Sequence, residues 1–159
     1  MLSKKAVVFA LTLFVSFPQF ATAQLKPIPS VGVKLGDDVE RVKTILKTNL
    51  DPEPMARKSA FDTNAGKTVL HLRTKGIWVF FDRSGVAETI RLDAPFSGDV
   101  LGVKLGESEA VLIRELGKPI GDPYPAFITL QAYRYALDDT AYVVFDVGDD
   151  GVKYILITK

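Results

Sequence analysis

Val31-Gly32-Val33-Lys34-Leu35-Gly36 and Leu101-Gly102-Val103-Lys104-Leu105-Gly106 are the two stretches on which the fold reading rests, five of their six residues being identical in order. Each is followed by a helix start, Asp37-Asp38-Val39-Glu40 in the first case and Glu107-Ser108-Glu109-Ala110 in the second. Asp37 with Glu40 has the spacing of a capping box, and the Ser108 hydroxyl can accept an orphan amide of a first helical turn. Apolar residues then recur at helical spacing, Val39, Val42, Ile45 and Leu46 in the first stretch, Leu112 and Leu116 in the second. Gly117 reads as a C-terminal cap and Pro119 bars continuation. The first helix has no such stop at 47–49 and is expected to run on or fray.

Three strand-like runs follow each helix: 67–73, 77–82 and 86–92, then 129–137, 141–147 and 152–158. The turns Asp82-Arg83-Ser84-Gly85 and Gly148-Asp149-Asp150-Gly151 supply Asp and Gly where a hairpin needs positive φ. The order cap, helix, meander thus occurs twice, which reads as an internal duplication. The expected fold class is α+β, two tandem helix-plus-three-strand repeats forming one antiparallel sheet with both helices on one face. The repeats are placed at 24–95 and 96–159. Residues 51–66 and 119–127 read as irregular loops, the former long enough to be functional.

The first residues carry an address. Lys4 and Lys5 precede an apolar run, 6–17, and Ala21-Thr22-Ala23 offers the small residues of a cleavage site, so 1–23 reads as a signal peptide and the mature chain as starting at Gln24. The expected location is periplasmic or secreted, with no integral membrane segment after cleavage, because the run is shorter than the roughly 20 residues of a membrane span. Composition narrows the chemistry. Of 159 residues 47% are hydrophobic and 25% charged, the net charge is +1, there is no cysteine, and His71 is the one histidine. That profile fits a packed domain. It excludes thiol catalysis, thiolate metal sites and disulfides, and offers no basic excess for nucleic acid.

The second stretch can be written Gly102-x3-Gly106-x4-Val111-x4-Leu116-Gly117-x-Pro119, followed by Tyr133-x-Tyr135, Val143-x-Phe145 and Gly151-Val152. It resembles the helix-plus-sheet repeat shared by the SmpA/OmlA (BamE-like) outer-membrane assembly lipoproteins and the β-lactamase inhibitor proteins, the tandem form looking more like the latter. The resemblance implies a binding module rather than an enzyme, recognising a protein partner through the sheet face that the helices leave uncovered. An envelope assembly factor is the alternative, and a small-ligand-binding domain or hydrolase a third. The chain departs from both families: Gln24 stands where a lipoprotein has its modified cysteine, and the inhibitors' disulfides are impossible here.

The residues themselves give little catalytic chemistry. His71 alternates with Leu70 and Leu72 and has no orienting carboxylate nearby in sequence. Asp138-Asp139 and Asp149-Asp150 lack a calcium-loop pattern and suit turns. The two glycine stretches lack the ending of a phosphate-binding loop. No catalytic residue, metal ligand or cofactor is therefore expected. If Val79 and Phe81 face the helices, alternation places Trp78 and Phe80 on the opposite face, with Tyr142 and, if Leu70 and Leu72 are core, His71 and Arg73 beside them. Trp78, Phe80, His71, Arg73 and Tyr142 make the candidate protein-binding set, a composition typical of interface hot spots, with Trp78 as its anchor. Tyr124 and Phe127 are either further exposed anchors or tucked under the sheet.

Overall fold

A computed structural model describes residues 30–56 and 63–159. The expected signal peptide and the start at Gln24 lie outside the described residues, as does the middle of the 51–66 loop. The chain folds in the order helix α1 (Val39–Leu46), strands β1 (Glu53–Pro54), β2 (Thr68–Leu72), β3 (Ile77–Phe81), β4 (Ala87–Leu92), β5 (Asp99–Val100) and β6 (Val103–Lys104), helix α2 (Glu109–Leu116), then β7 (Tyr124–Phe127), β8 (Leu130–Ala136), β9 (Tyr142–Gly148) and β10 (Gly151–Thr158). Eight strands form one antiparallel sheet in the order β1-β2-β3-β4-β10-β9-β8-β7, and β5 and β6 form a separate small hairpin.

This corrects the expected α+β class of two tandem helix-plus-three-strand repeats: the molecule is mostly β. The two helices among the described residues have eight residues each, and strands form where loops were expected. Glu53–Pro54 and Tyr124–Phe127 add outer strands to the large sheet, although both lie in segments without apolar alternation. Such strands pair by backbone alone, and proline at an edge costs no ladder bond on the side that faces solvent. Pro54 and Pro125 also discourage a further strand from adding to either edge. The stretch 99–104, which leads into the second glycine stretch, closes into the hairpin β5–β6.

Local chemistry explains the helix ends. Asp38, rather than Asp37, caps α1 by accepting from the Arg41 amide at 2.8 Å, while Asp37 accepts from the Lys34 amide. Ser108 caps α2 as expected, accepting from the Val111 amide. Helix α1 does not run on: Lys47 takes the left-handed conformation, φ 52°, and the Lys75 ammonium donates to the Leu46 carbonyl. Gly117 closes α2.

One face of the sheet forms the core. Leu70, Val79, Phe81, Ile90, Leu92, Val143, Phe145, Ile155 and Ile157 are buried there together with Val42 and Leu46 of α1 and Leu112 of α2. Val33 and Val103 close the same cluster from the two glycine stretches. The Gly36 and Gly106 amides donate to the Ala87 and Val152 carbonyls, which ties each stretch to the start of a central strand. No helix among the described residues is long and apolar enough to cross a membrane.

Candidate functional site

Strand register organises the other face of the sheet into two rows that cross six strands. In the first row His71 lies opposite Trp78, Trp78 opposite Arg91, Arg91 opposite Leu156, Leu156 opposite Val144 and Val144 opposite Arg134. In the second, Val69, Phe80, Thr89, Thr158, Tyr142 and Ala136 follow one another in the same way. Alternation along each strand sends these side chains away from the core, because their neighbours Leu70, Val79, Ile90, Ile157 and Val143 point into it.

The left half of these rows is an aromatic stack around an arginine. The His71 and Trp78 rings lie nearly parallel with centroids 3.2 Å apart, and Phe80 continues the stack at 6.3 Å from Trp78. The Arg91 guanidinium sits 5.2 Å from the Trp78 ring centre and 4.2 Å from that of Tyr154, a cation between two π faces. A single oxygen, Asp93 Oδ2, accepts from Trp78 Nε1 and from Arg91 Nη2, both at 2.9 Å. Asp93 reaches this position because Gly76 lets the chain pass close. Its φ is 63°, its carbonyl accepts from the Asp93 amide, and a Cβ there would collide with the Asp93 carbonyl.

Phe127 meets Tyr154 edge to face at 6.3 Å and is 62% exposed. The next residue, Ile128, forms the β7–β8 turn and is fully exposed. A shallow depression of about 470 Å³ between Phe127, Thr129, Leu130, Lys153 and Tyr154 borders a second of about 290 Å³ between Arg91, Asp93, Ala94, Lys153 and Tyr154. An exposed aromatic and isoleucine at one tip form an apolar surface of the kind that marks contact sites.

Two titratable groups on this face are shifted. Burial, reinforced by Arg73, holds the His71 imidazole below its usual range. Asp146, opposite Tyr154 and Ala132, is 4% exposed, and its carboxyl has no hydrogen bond among the described residues. Burial pushes its carboxyl up to about 6, although Arg91 pulls the other way.

The five residues expected from sequence are thus distributed as follows. His71, Trp78 and Phe80 are brought into one stack. Tyr142 lies in the row of Phe80, but three strands away with Thr89 and Thr158 between, and pairs instead with Arg134, whose guanidinium is 5.2 Å from its ring. Arg73 is not on the face: β2 ends at Leu72, and Arg73 begins a 3-10 turn at its rim. Trp78 is half-buried and hydrogen-bonded, not a free anchor. Arg91, Asp93, Asp146 and Tyr154 were missed. Arg91 was findable, since it alternates with Ile90 and Leu92 as His71 does with its leucines. Tyr154 was not, because a bulge between Val152 and Tyr154 shifts the parity of β10. Phe127 and Tyr124 prove to be exposed. Among the described residues no group of acidic and histidine side chains could hold a metal ion.

No family model matches the chain, and no curated protein matches it. Among solved structures it is similar to a DUF4309 family protein (YjgB) from Bacillus subtilis subsp. subtilis str. 168, at 16% identity over 77% of this chain and 78% of that one, with a TM-score of 0.48.

Proposed function

We propose that this protein is an exported binding module that holds a protein partner, an inhibitor-like or immunity-type role, through the sheet face turned away from the helices. The observation that carries this reading is the pair of register rows. They set His71, Trp78, Phe80 and Arg91 side by side, with Tyr154 packed on Arg91 and the exposed Phe127 and Ile128 beyond it. Aromatic and arginine side chains concentrated at one surface supply contact area at low entropic cost. The shallow depressions suit the relief of a protein surface better than the enclosure of a small molecule.

The test uses a photoreactive phenylalanine analogue placed in turn at Tyr142, Phe127 and, as a control on the exposed side of α2, Glu115. In the envelope extract of the source organism, Tyr142 and Phe127 give the same crosslinked protein and Glu115 gives none. Purified, that protein binds the unmodified chain in calorimetry. Equal labelling at all three positions, or none at any, overturns the reading.

A further inference from the structure

The first register row carries two arginines, Arg134 at its end without an ion pair among the described residues and Arg91 within it, paired through a single nitrogen. Arg134 is exposed, lies over Tyr142 and forms no ion pair with any described residue. Arg91 is paired with Asp93 through Nη2, its Nε is buried without an acceptor among the described residues, and Nη1 is the nitrogen left for a further acceptor. Between the two arginines lie Leu156 and Val144, both apolar. The accessible carboxylates nearby are already taken, Asp93 by Arg91 and Trp78, and Asp150 by Lys153. Asp146 is buried.

Resting on the reading of this face as a binding surface, we infer that it takes an extended acidic segment of the partner, with two carboxylates flanking an apolar side chain in the spacing Glu-x-Leu-x-Glu. The geometry is set by two periods. Arg91 on β4 and Arg134 on β8 are three strand spacings apart, about 14 Å at roughly 4.8 Å each. An extended chain advances about 3.4 Å per residue, so side chains four residues apart are also about 14 Å apart. Residues i, i+2 and i+4 of such a chain share one face. A segment lying across the strands therefore sets one carboxylate on Arg91, its central apolar residue over Leu156 and Val144, and the other carboxylate on Arg134. The Arg134 guanidinium suits that task, since it can offer two parallel donors to a carboxylate, whereas Arg91, with Nη2 on Asp93 and Nε buried, offers its remaining nitrogen Nη1.

Trp78 is the single tryptophan of the chain and lies beside Arg91, so its emission reports occupancy directly. Short acetylated peptides centred on Glu-Ser-Leu-Ser-Glu, on Lys-Ser-Leu-Ser-Lys and on Ser-Glu-Leu-Glu-Ser are titrated into the full chain. The first shifts Trp78 emission saturably, more weakly at high salt. The lysine peptide gives no shift, and the closely spaced acidic peptide binds about fivefold or more weakly. Arg134→Glu lowers affinity for the first peptide about tenfold or more, while Arg114→Glu on α2 does not. Since Arg134 is exposed, circular dichroism of Arg134→Glu stays that of the parent. Equal binding of acidic and lysine peptides, an unaffected Arg134→Glu, or no saturable response up to about 1 mM overturns the inference. If that happens while Tyr142 and Phe127 still crosslink to one protein, the acidic segment is wrong and the binding face stands. If the crosslinks are absent as well, both fall.

Discussion

The imidazole of His71 lies flat against the indole of Trp78, with ring centroids 3.2 Å apart and planes 15° from parallel. Each residue is the cross-strand partner of the other in the β2–β3 pair, so register alone holds them together. Protonating His71 places a cation against the ring that reports fluorescence. Its pKa in the folded chain lies below the ordinary 6.5, lowered first by burial and then by Arg73. The expected outcome is a reversible change of Trp78 emission on acidification, with a midpoint below 6.5, absent in His71→Gln. The linked stability has a definite sign. The unfolded chain binds a proton on His71 more readily than the folded one, so this contribution is present above 6.5 and is lost as pH falls. A midpoint above 6.5 would show that Asp93 and Glu53, which pull the other way, outweigh burial and Arg73.

Asp146 acts in the opposite direction. Its carboxyl is raised from 3.8 to about 6 by burial, so the folded chain holds that proton more tightly than the unfolded chain does. Stability therefore falls as pH rises from about 4 to 6, and the cost of the buried charge is complete above that window. A shift of this size corresponds to about 2–3 kcal/mol. Asp146→Asn keeps the shape without the charge and is expected to be more stable than the parent by that order at pH 8, and no more stable at pH 4. Urea unfolding at the two pH values checks it. A variant destabilised at pH 8 and not at pH 4 would mean that Asp146 is held by its charge.

Much of the inward pattern was legible because it depends on alternation. Leu70, Val79, Phe81, Val143 and Phe145 each precede or follow an outward residue by one position, and all are buried. The helix starts were legible for a similar reason, Ser108 in place and the α1 cap one residue later than expected, as a capping oxygen has to lie two or three residues before the amide it serves. What failed to be legible was pairing that needs no side-chain pattern. Glu53–Pro54 and Tyr124–Phe127 join the sheet as edges through backbone groups, and β5–β6 closes on four residues. With these added, and with helices of only eight residues, the α+β repeat reading gave way to a mostly β molecule. The candidate face suffered from the same gap. Alternation separates inward from outward residues along a strand, but which outward residues touch depends on strand order. Only the adjacency of β4 and β10 sets Arg91 opposite Leu156 and between Trp78 and Tyr154.

The helices give a prediction of the same kind. Leu46 and Leu116 occupy matching places in sequence, yet Leu46 is buried and Leu116 only partly so, the fully buried leucine of α2 being Leu112. Leu112→Ala is expected to cost about 2–5 kcal/mol, as for other buried leucines, and Leu46→Ala a similar amount. Leu116→Ala should cost less than half as much as Leu112→Ala in urea unfolding. Equal losses at Leu112 and Leu116 would place the axis of α2 differently over the sheet.

Trp78, which the sequence marks as the binding anchor, and Phe127 divide packing and binding between them. Trp78 is half-buried, stacked on both sides and bonded through Nε1 to Asp93, so Trp78→Ala removes packing and leaves the Asp93 oxygen with one donor fewer. Its expected cost to the free fold is about 2–4 kcal/mol. Phe127 has one ring contact and stands 62% exposed, so Phe127→Ala is expected to cost less than about 1 kcal/mol in stability. Binding reverses the order. An exposed aromatic beside an open depression loses most of its water only when a partner covers it, and anchors of that kind contribute about 2 kcal/mol or more, roughly thirtyfold in affinity. With the crosslinked partner purified, Phe127→Ala should weaken binding by that order at an unchanged urea midpoint. Trp78→Phe, which keeps a ring in the stack and removes the donor, should lower the midpoint and leave binding per folded molecule nearly unaltered. If Phe127→Ala binds as the parent does while Trp78→Phe does not, the contact is centred on the Trp78–Arg91 stack and the β7–β8 tip lies outside it.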